Sequence, residues 1–359
     1  MLDFTSALYL GIRHASGSLR PWDQLTTGVP AALAAPSEEE AVTDRLARLV
    51  GCEQAALGTS TLHLFWDLFG LIDPDRVAIY ADAGLYPIGW WGIERAVGRG
   101  AQLRTFPHHD VEALQRLLHR DRHRRRPLIV SDGFCPGCGR RAPLADYLYH
   151  AGMYDGQLII DDTQALGIFG HSIGSAAPYG HDGGGSLRAA HLSDPRVLVI
   201  SSLAKAFGAP LAMIAGSQVN IRRFEAQSKT RVHCSPPSIV ARRAAEHALN
   251  INDQFGDELR RRLAQRVRYF RRRLADSGLG VTGGMFPVQT LRRLNGISAI
   301  TLHEQLLERN IKTVLQRGRG QTQPRLTFIL TARHSLADID HVVGELMPAP
   351  RRERVASPP

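Results

Sequence analysis

Lysine is nearly absent from this 359-residue chain: of its 44 basic residues, only Lys205, Lys229 and Lys312 are lysines. Cysteine is also scarce. Four cysteines are too few for a disulfide framework, and they point to a reducing cytoplasm. No apolar run approaches the roughly 20 residues that a membrane helix needs. The N-terminus shows no charged segment followed by an apolar run, so neither a signal peptide nor a membrane partner is expected. No internal repeat is visible. What remains is an ordinary globular composition, 43% hydrophobic and 22% charged, long enough for two domains. The formal net charge of +10 raises the question of nucleic acid. The arginines, however, are spread along helical segments (119–126, 260–262, 271–273), with no interleaved aromatic platform and no nucleic-acid module. A solvated basic surface is expected instead.

From about residue 40, helices alternate with short apolar runs, the pattern of an α/β domain with a mostly parallel sheet. Val77–Tyr80, Leu128–Ser131, Leu158–Asp161, Val197–Ser201 and Met213–Ala215 read as strands. Glu38–Leu49, opening near a Ser37 cap with Glu40 completing a capping box, reads as a helix. Val111–Leu118 and Leu144–Ala151 do so as well, and Ile239–Leu274 reads as one long helical stretch. Ile311–Leu315 and Leu326–Leu330 read as later strands, and Leu336–Leu346 as a closing helix. The triple glycine within His181–Ser186 predicts a mobile loop. The expected division is an N-terminal segment, 1–36, joining a small domain; a large domain, 37–245; the small C-terminal domain, 246–347; and a disordered tail, 348–359.

Because the composition favours arginine so strongly, a lysine that persists marks a position where arginine would not serve. Arginine stays protonated, whereas a buried lysine can become a nucleophilic amine. Lys205 follows the apolar run Val197–Ile200 and two hydroxyls, in Ser201-Ser202-Leu203-Ala204-Lys205-Ala206-Phe207-Gly208. The small residues around it leave room for a bulky group beside the amine. Lys229 and Lys312 lie in polar surroundings and read as solvated.

Ligands of open α/β sheets bind at the carboxyl ends of the strands. There Leu158-Ile159-Ile160 runs into Asp161-Asp162, and a carboxylate after a buried strand is costly without a partner. A turn or helix cap accounts for one of the two aspartates. Gly58-Thr59-Ser60-Thr61-Leu62 opens a helix and offers hydroxyls and free amides to an anion, although capping explains the hydroxyls equally well. Cys135-Pro136-Gly137-Cys138 has the spacing of half a zinc site, but Cys52 and Cys234 supply no second pair, so no metal is expected.

Together these residues resemble a known family. Asp161–Gly167 resembles the Asp-x-Ala-His-x-x-Gly segment of fold-type-I pyridoxal-phosphate enzymes, and Ser202–Gly208 is similar to their Schiff-base segment. The likeness is greatest to the α-oxoamine synthase and class II aminotransferase family. Tyr9-Leu10-Gly11, Phe106-Pro107-His108, Ala142-Pro143-Leu144, Arg325-Leu326 and Thr331–Ser335 extend it, in order, over nearly the whole chain. The resemblance implies a large domain built on a mostly parallel seven-stranded sheet and a smaller α+β C-terminal domain. It implies pyridoxal 5'-phosphate as cofactor, bound to Lys205 as a Schiff base. Asp161 would pair with the pyridine nitrogen. Ser60, Thr61, Leu62 and Ser202 would hold the phosphate, and Tyr86, where the family has a histidine, would stack on the ring. A homodimer with its active site at the interface is implied, with residues near His233–Pro237 reaching the partner's phosphate.

Four positions depart from the family pattern. Gln164 stands for a histidine near the cofactor's phenolate oxygen, and Cys135 for a serine that orients substrate. Leu8 stands for an asparagine. Thr327 replaces the arginine that receives an amino-acid carboxylate, a contact that Arg317, Arg319 or Arg333 would have to restore. The expected function is therefore an aminotransferase-like reaction on an amino or keto small molecule, in specialised metabolism. Decarboxylative condensation of an amino acid with an acyl thioester is the alternative, and a non-catalytic binding protein of the same fold is the third reading.

Overall fold

The structure is a computed structural model that describes residues 1–33, 40–121, 125–292, 298–317 and 323–346. The expected tail, the Ser37 cap and Arg319 lie outside the described residues. The chain forms two compact units: Leu8–Arg261, and Met1–Ala7 with Arg262–Pro359.

The larger unit is built on seven strands: β1 (Gln54–Gly58), β2 (Val77–Asp82), β3 (Gln102–Phe106), β4 (Arg126–Asp132), β5 (Gln157–Asp161), β6 (Val197–Ser202) and β7 (Ala212–Gly216). Their spatial order is β1-β7-β6-β5-β4-β2-β3. β7 is antiparallel to both of its neighbours, and the other pairings are parallel. The strands alternate faces with period two. Ile79, Ile159, Leu198 and Ile200 join one apolar cluster with Phe65, Phe69 and Ile93, from helices Thr61–Gly70 and Pro87–Val97. Tyr80, Leu158, Ile160, Val197 and Val199 join the opposite cluster with Leu114 and Tyr147, from helices Val111–Asp121 and Leu144–Gly152. Both faces are covered, which is why the strands read as continuous apolar runs. Each large aliphatic buried there contributes about 1.5–3 kcal/mol.

The smaller unit carries an antiparallel sheet of β8 (Val281–Thr282), β9 (Val288–Leu291), β10 (Val314–Gln316) and β11 (Arg325–Ile329). Helices Ala299–Glu308 and Leu336–Leu346 belong to it. Leu2–Asp3 pairs in parallel with Ile311–Lys312, so the expected strand Ile311–Leu315 is two strands in different sheets.

Two expectations need correction. The N-terminal segment 1–36 does not belong as a whole with the smaller unit: only Met1–Ala7 does, and the division near 246 falls instead at Arg262, within helix Ile239–Asp276. The reason is polar anchoring. The Tyr9 hydroxyl donates to Gln164 Oε1 at 2.8 Å, and His14 Nε2 lies 2.8 Å from the Phe207 carbonyl. The glycine-rich segment at His181–Ser186 is also pinned, not loose. Gly167 N donates to the Gly183 carbonyl, Gly185 N to Phe169, and Asp182 N to Asp257. Gly183–Ser186 are buried. Among the described residues, no helix is long and apolar enough to cross a membrane.

Candidate active site

The carboxyl edge of the larger sheet gathers the residues singled out above. Asp161 ends β5 and is 6% exposed. Its Oδ1 accepts the Thr163 amide at 3.0 Å, and burial still pushes its pKa up against the opposing effects of Thr163 and Lys205. Asp162 is the capping member of the pair. Its Oδ2 accepts the Ser186 amide at 2.8 Å, at the start of the short helix Ser186–Ala189, and burial raises its pKa to about 7.

β6 delivers the lysine. The Ser202 amide donates to Thr163 Oγ1 at 3.0 Å, which ties the turn after β6 to the turn after β5. Lys205 follows in that turn, its pKa lowered by burial against the raising influence of Asp161 and Asp132. Gly208 closes the turn at φ 65°, and a side chain there would crowd the Ile12 carbonyl at 3.0 Å. Lys205 Nζ lies 5.9 Å from the centroid of the Tyr86 ring. Tyr86 is 52% exposed, which rules out a buried core tyrosine.

Ser60 caps helix Thr61–Gly70, its Oγ accepting the His63 amide at 3.4 Å and lying 2.8 Å from His63 Nδ1. The first amides of a helix have no intrahelical acceptors, so those of Thr61 and Leu62 are disposed toward an anion. Ser202 Oγ accepts the Ala204 amide at 3.2 Å, and its own hydrogen is left to donate. Cys234–Pro237 line one concavity with Gly58, Thr59 and His63 of their own chain.

Sequence reasoning missed Asp132, Tyr9 and His108 as site residues. Asp132 ends β4 directly beside Asp161, and its Oδ1 accepts the Tyr86 amide at 3.1 Å. Burial, with repulsion from Asp161, pushes its pKa well up. The signal was the same as for Asp161, a carboxylate ending an apolar strand. Gln164 is held by Tyr9, as described above. His108 reaches the cysteine pair: its Nε2 lies 3.4 Å from Cys138 Sγ. Cys135 Sγ accepts the Cys138 amide at 3.4 Å, so its thiol is engaged in the Cys135–Cys138 turn.

Thr327 lies in the smaller unit, 1% exposed, with Oγ1 2.9 Å from Thr290 Oγ1 and donating to Gln316 Oε1 at 3.3 Å. Its side chain is taken up by its own sheet. Arg317 and Arg333 are exposed.

The family of class I and II aminotransferases matches residues 89–346. Over 256 residues the chain is 31% identical to the 8-amino-7-oxononanoate synthase of Nitrosococcus oceani, an alignment covering 69% of this chain and 63% of that protein. The corresponding enzyme of Dechloromonas aromatica is 30% identical over 261 residues, covering 71% and 63%. The chain thus spans less than two thirds of these curated relatives' length. Among solved structures, serine palmitoyltransferase of Sphingomonas wittichii superposes with a TM-score of 0.81 at 19% identity, covering 96% of this chain and 85% of that one. The 8-amino-7-oxononanoate synthase of Francisella tularensis gives 0.71 at 20% identity, covering 96% of each. These two likenesses are of fold.

Proposed function

We propose, for a chain that belongs to the class I and II aminotransferase family, a pyridoxal-phosphate-dependent transferase acting on a small amino substrate. The observation that carries it is the juxtaposition of the turns after the paired strands β5 and β6: Asp161 ends β5, the Ser202 amide bonds Thr163, and Lys205 in the second turn faces the Tyr86 ring. These residues fit the cofactor. Asp161 is a buried anion in need of a cationic partner, which a protonated pyridine nitrogen supplies. The helix start at Ser60–Leu62 and the Ser202 hydroxyl suit a phosphate. Tyr86 offers a ring face and Lys205 an amine that would hold the cofactor covalently. When bound, pyridoxal phosphate supplies an electron sink for a carbanion on the substrate.

The remaining work falls to the protein. Asp161 would pair with a protonated ring nitrogen, which would favour its charged form. Lys205 would take and return the substrate's α-proton at Nζ. Gln164, its Oε1 held by the Tyr9 hydroxyl, would donate a hydrogen bond to the cofactor through its amide nitrogen and carries no titrating proton.

The names of the relatives favour condensation of an amino acid with an acyl thioester. A second reading, transamination, is favoured by Thr327: the position expected to bear a carboxylate-binding arginine holds a buried threonine bonded to Thr290 and Gln316. Adding amino donors one at a time separates the two. Conversion of the cofactor to its amine form by donor alone supports transamination. Thioester consumption with carbon dioxide release supports condensation, and neither response to any donor contradicts the transferase reading. We also take the working form to be a cytoplasmic homodimer in a biosynthetic pathway. The scarcity of cysteine, four in 359 residues, supports a reducing compartment. Trp66 and Trp91, 45% and 50% exposed on the helices that begin at the site, support a covering partner there.

A further inference from the structure

We propose that His108, Cys135 and Cys138 form a zinc site with three protein ligands and a fourth position occupied by water. The donor atoms of these residues all lie within 4.8 Å of one another. Tetrahedral zinc, with bonds of roughly 2.3 Å to sulfur and 2.0–2.1 Å to nitrogen, sets its ligand atoms roughly 3.5–3.8 Å apart. The 3.4 Å between His108 Nε2 and Cys138 Sγ is already close to that spacing.

Two features show preparation beyond proximity. The first is the turn between the cysteines. The Cys138 amide donates to Cys135 Sγ at 3.4 Å, the Gly139 amide donates to the Cys135 carbonyl at 2.9 Å, and Gly139 takes φ 71°. This folds the chain back so that both sulfurs face one side, and it places an amide dipole on a sulfur that must be anionic to bind metal. The second is the support of the imidazole. His108 Nδ1 lies 2.8 Å from Asp82 Oδ1, which fixes the ring and presents Nε2 to the thiols, the carboxylate–histidine–metal arrangement that orients ligands in metal sites. Asp82 is itself held by the amides of Gly84 at 2.6 Å and His109 at 3.0 Å and by the Tyr147 hydroxyl at 3.2 Å. The base is rigid: Asp82 ends β2, Phe106 ends β3, and Phe134–Cys135 pairs with Arg140–Arg141. Two thiolates and an imidazole favour zinc over the harder magnesium and calcium ions. Binding would release the thiol protons to solvent.

The test is metal analysis of the full chain, purified under reducing conditions from zinc-supplemented medium and dialysed without chelator. About one zinc per chain is expected. Cys135→Ser, Cys138→Ser and His108→Ala should each lose at least about nine-tenths of it, whereas Cys52→Ser should keep it. Asp82→Asn should bind with affinity weakened by about 10–100-fold, as a positioning residue would. Cobalt added to the stripped wild-type chain should give thiolate charge-transfer absorption, which decides the matter even if a variant fails to fold. Absence of both zinc and the cobalt absorption would overturn the proposal. So would a Cys135–Cys138 disulfide in the reduced preparation, which would mark a redox pair.

Discussion

Asp132 and Asp161 stand directly opposite each other at the ends of neighbouring parallel strands. Two carboxyls so placed do not ionise equally: burial and Asp161 both drive Asp132 toward its protonated form, whereas Thr163 and Lys205 oppose the effect of burial at Asp161. The upward push on Asp161 is opposed by Lys205, so Asp161 is the member proposed to carry charge for a cofactor. The two positions should therefore respond differently to the same change. Asp161→Asn is expected to lower turnover by about 100-fold or more without lowering thermal stability, because it removes a carboxylate that burial disfavours as an anion. Asp132→Asn, which imitates a protonated carboxyl, is expected to change cofactor affinity by less than about 3-fold. Steady-state rates and a cofactor titration read both outcomes; equal losses at the two positions would remove the distinction.

The Tyr9 hydroxyl and Gln164 link the N-terminal segment to the turn after β5. In a double-mutant cycle, Tyr9→Phe and Gln164→Leu are expected to show a coupling of about 0.5–1.5 kcal/mol in urea unfolding. Strictly additive effects would mean that the bond contributes nothing to holding the segment.

Asp162 gives the pH dependence its sign. Its folded pKa is raised to about 7 from 3.8, so between these values the folded chain keeps a proton that the unfolded chain has released. Stability therefore falls as pH rises through that window, by about 1.4 kcal/mol for each pH unit crossed. It levels off above the folded pKa. Asp162→Asn cannot ionise, so it is expected to lose less stability than the wild type between about pH 4 and pH 7 in urea titrations of the cofactor-free protein. Parallel curves for the two proteins would contradict this.

Much of this was legible in the sequence, and the parts that were not share a physical reason. The central strands β4, β5 and β6 announced themselves because both faces are buried, and helix Leu336–Leu346 because its apolar face repeats with the helical period. Gln102–Phe106 did not, since it is the edge strand and carries Gln102, Arg104 and Thr105. Gln54–Gly58 was hidden by small residues that are as common in helices. Lys205 and Asp161 stood out in the sequence because each is chemically out of place where it stands. His108 and Asp132 matter through neighbours distant in sequence, and pairing of that kind is a property of the sheet's order, not of any local pattern. The cysteine pair shows the limit most clearly: its spacing was visible, but its third companion comes from the end of another strand.

The central claim is that Lys205 holds the cofactor and moves the substrate's proton. Its most direct test is the visible absorption spectrum of the purified chain with added pyridoxal phosphate, recorded for the wild type and for Lys205→Ala. A band from lysine-bound cofactor that borohydride fixes covalently in the wild type, and that is absent from Lys205→Ala, is the expected result. Covalent fixation that persists in Lys205→Ala, or no such band in the wild type, would contradict the account.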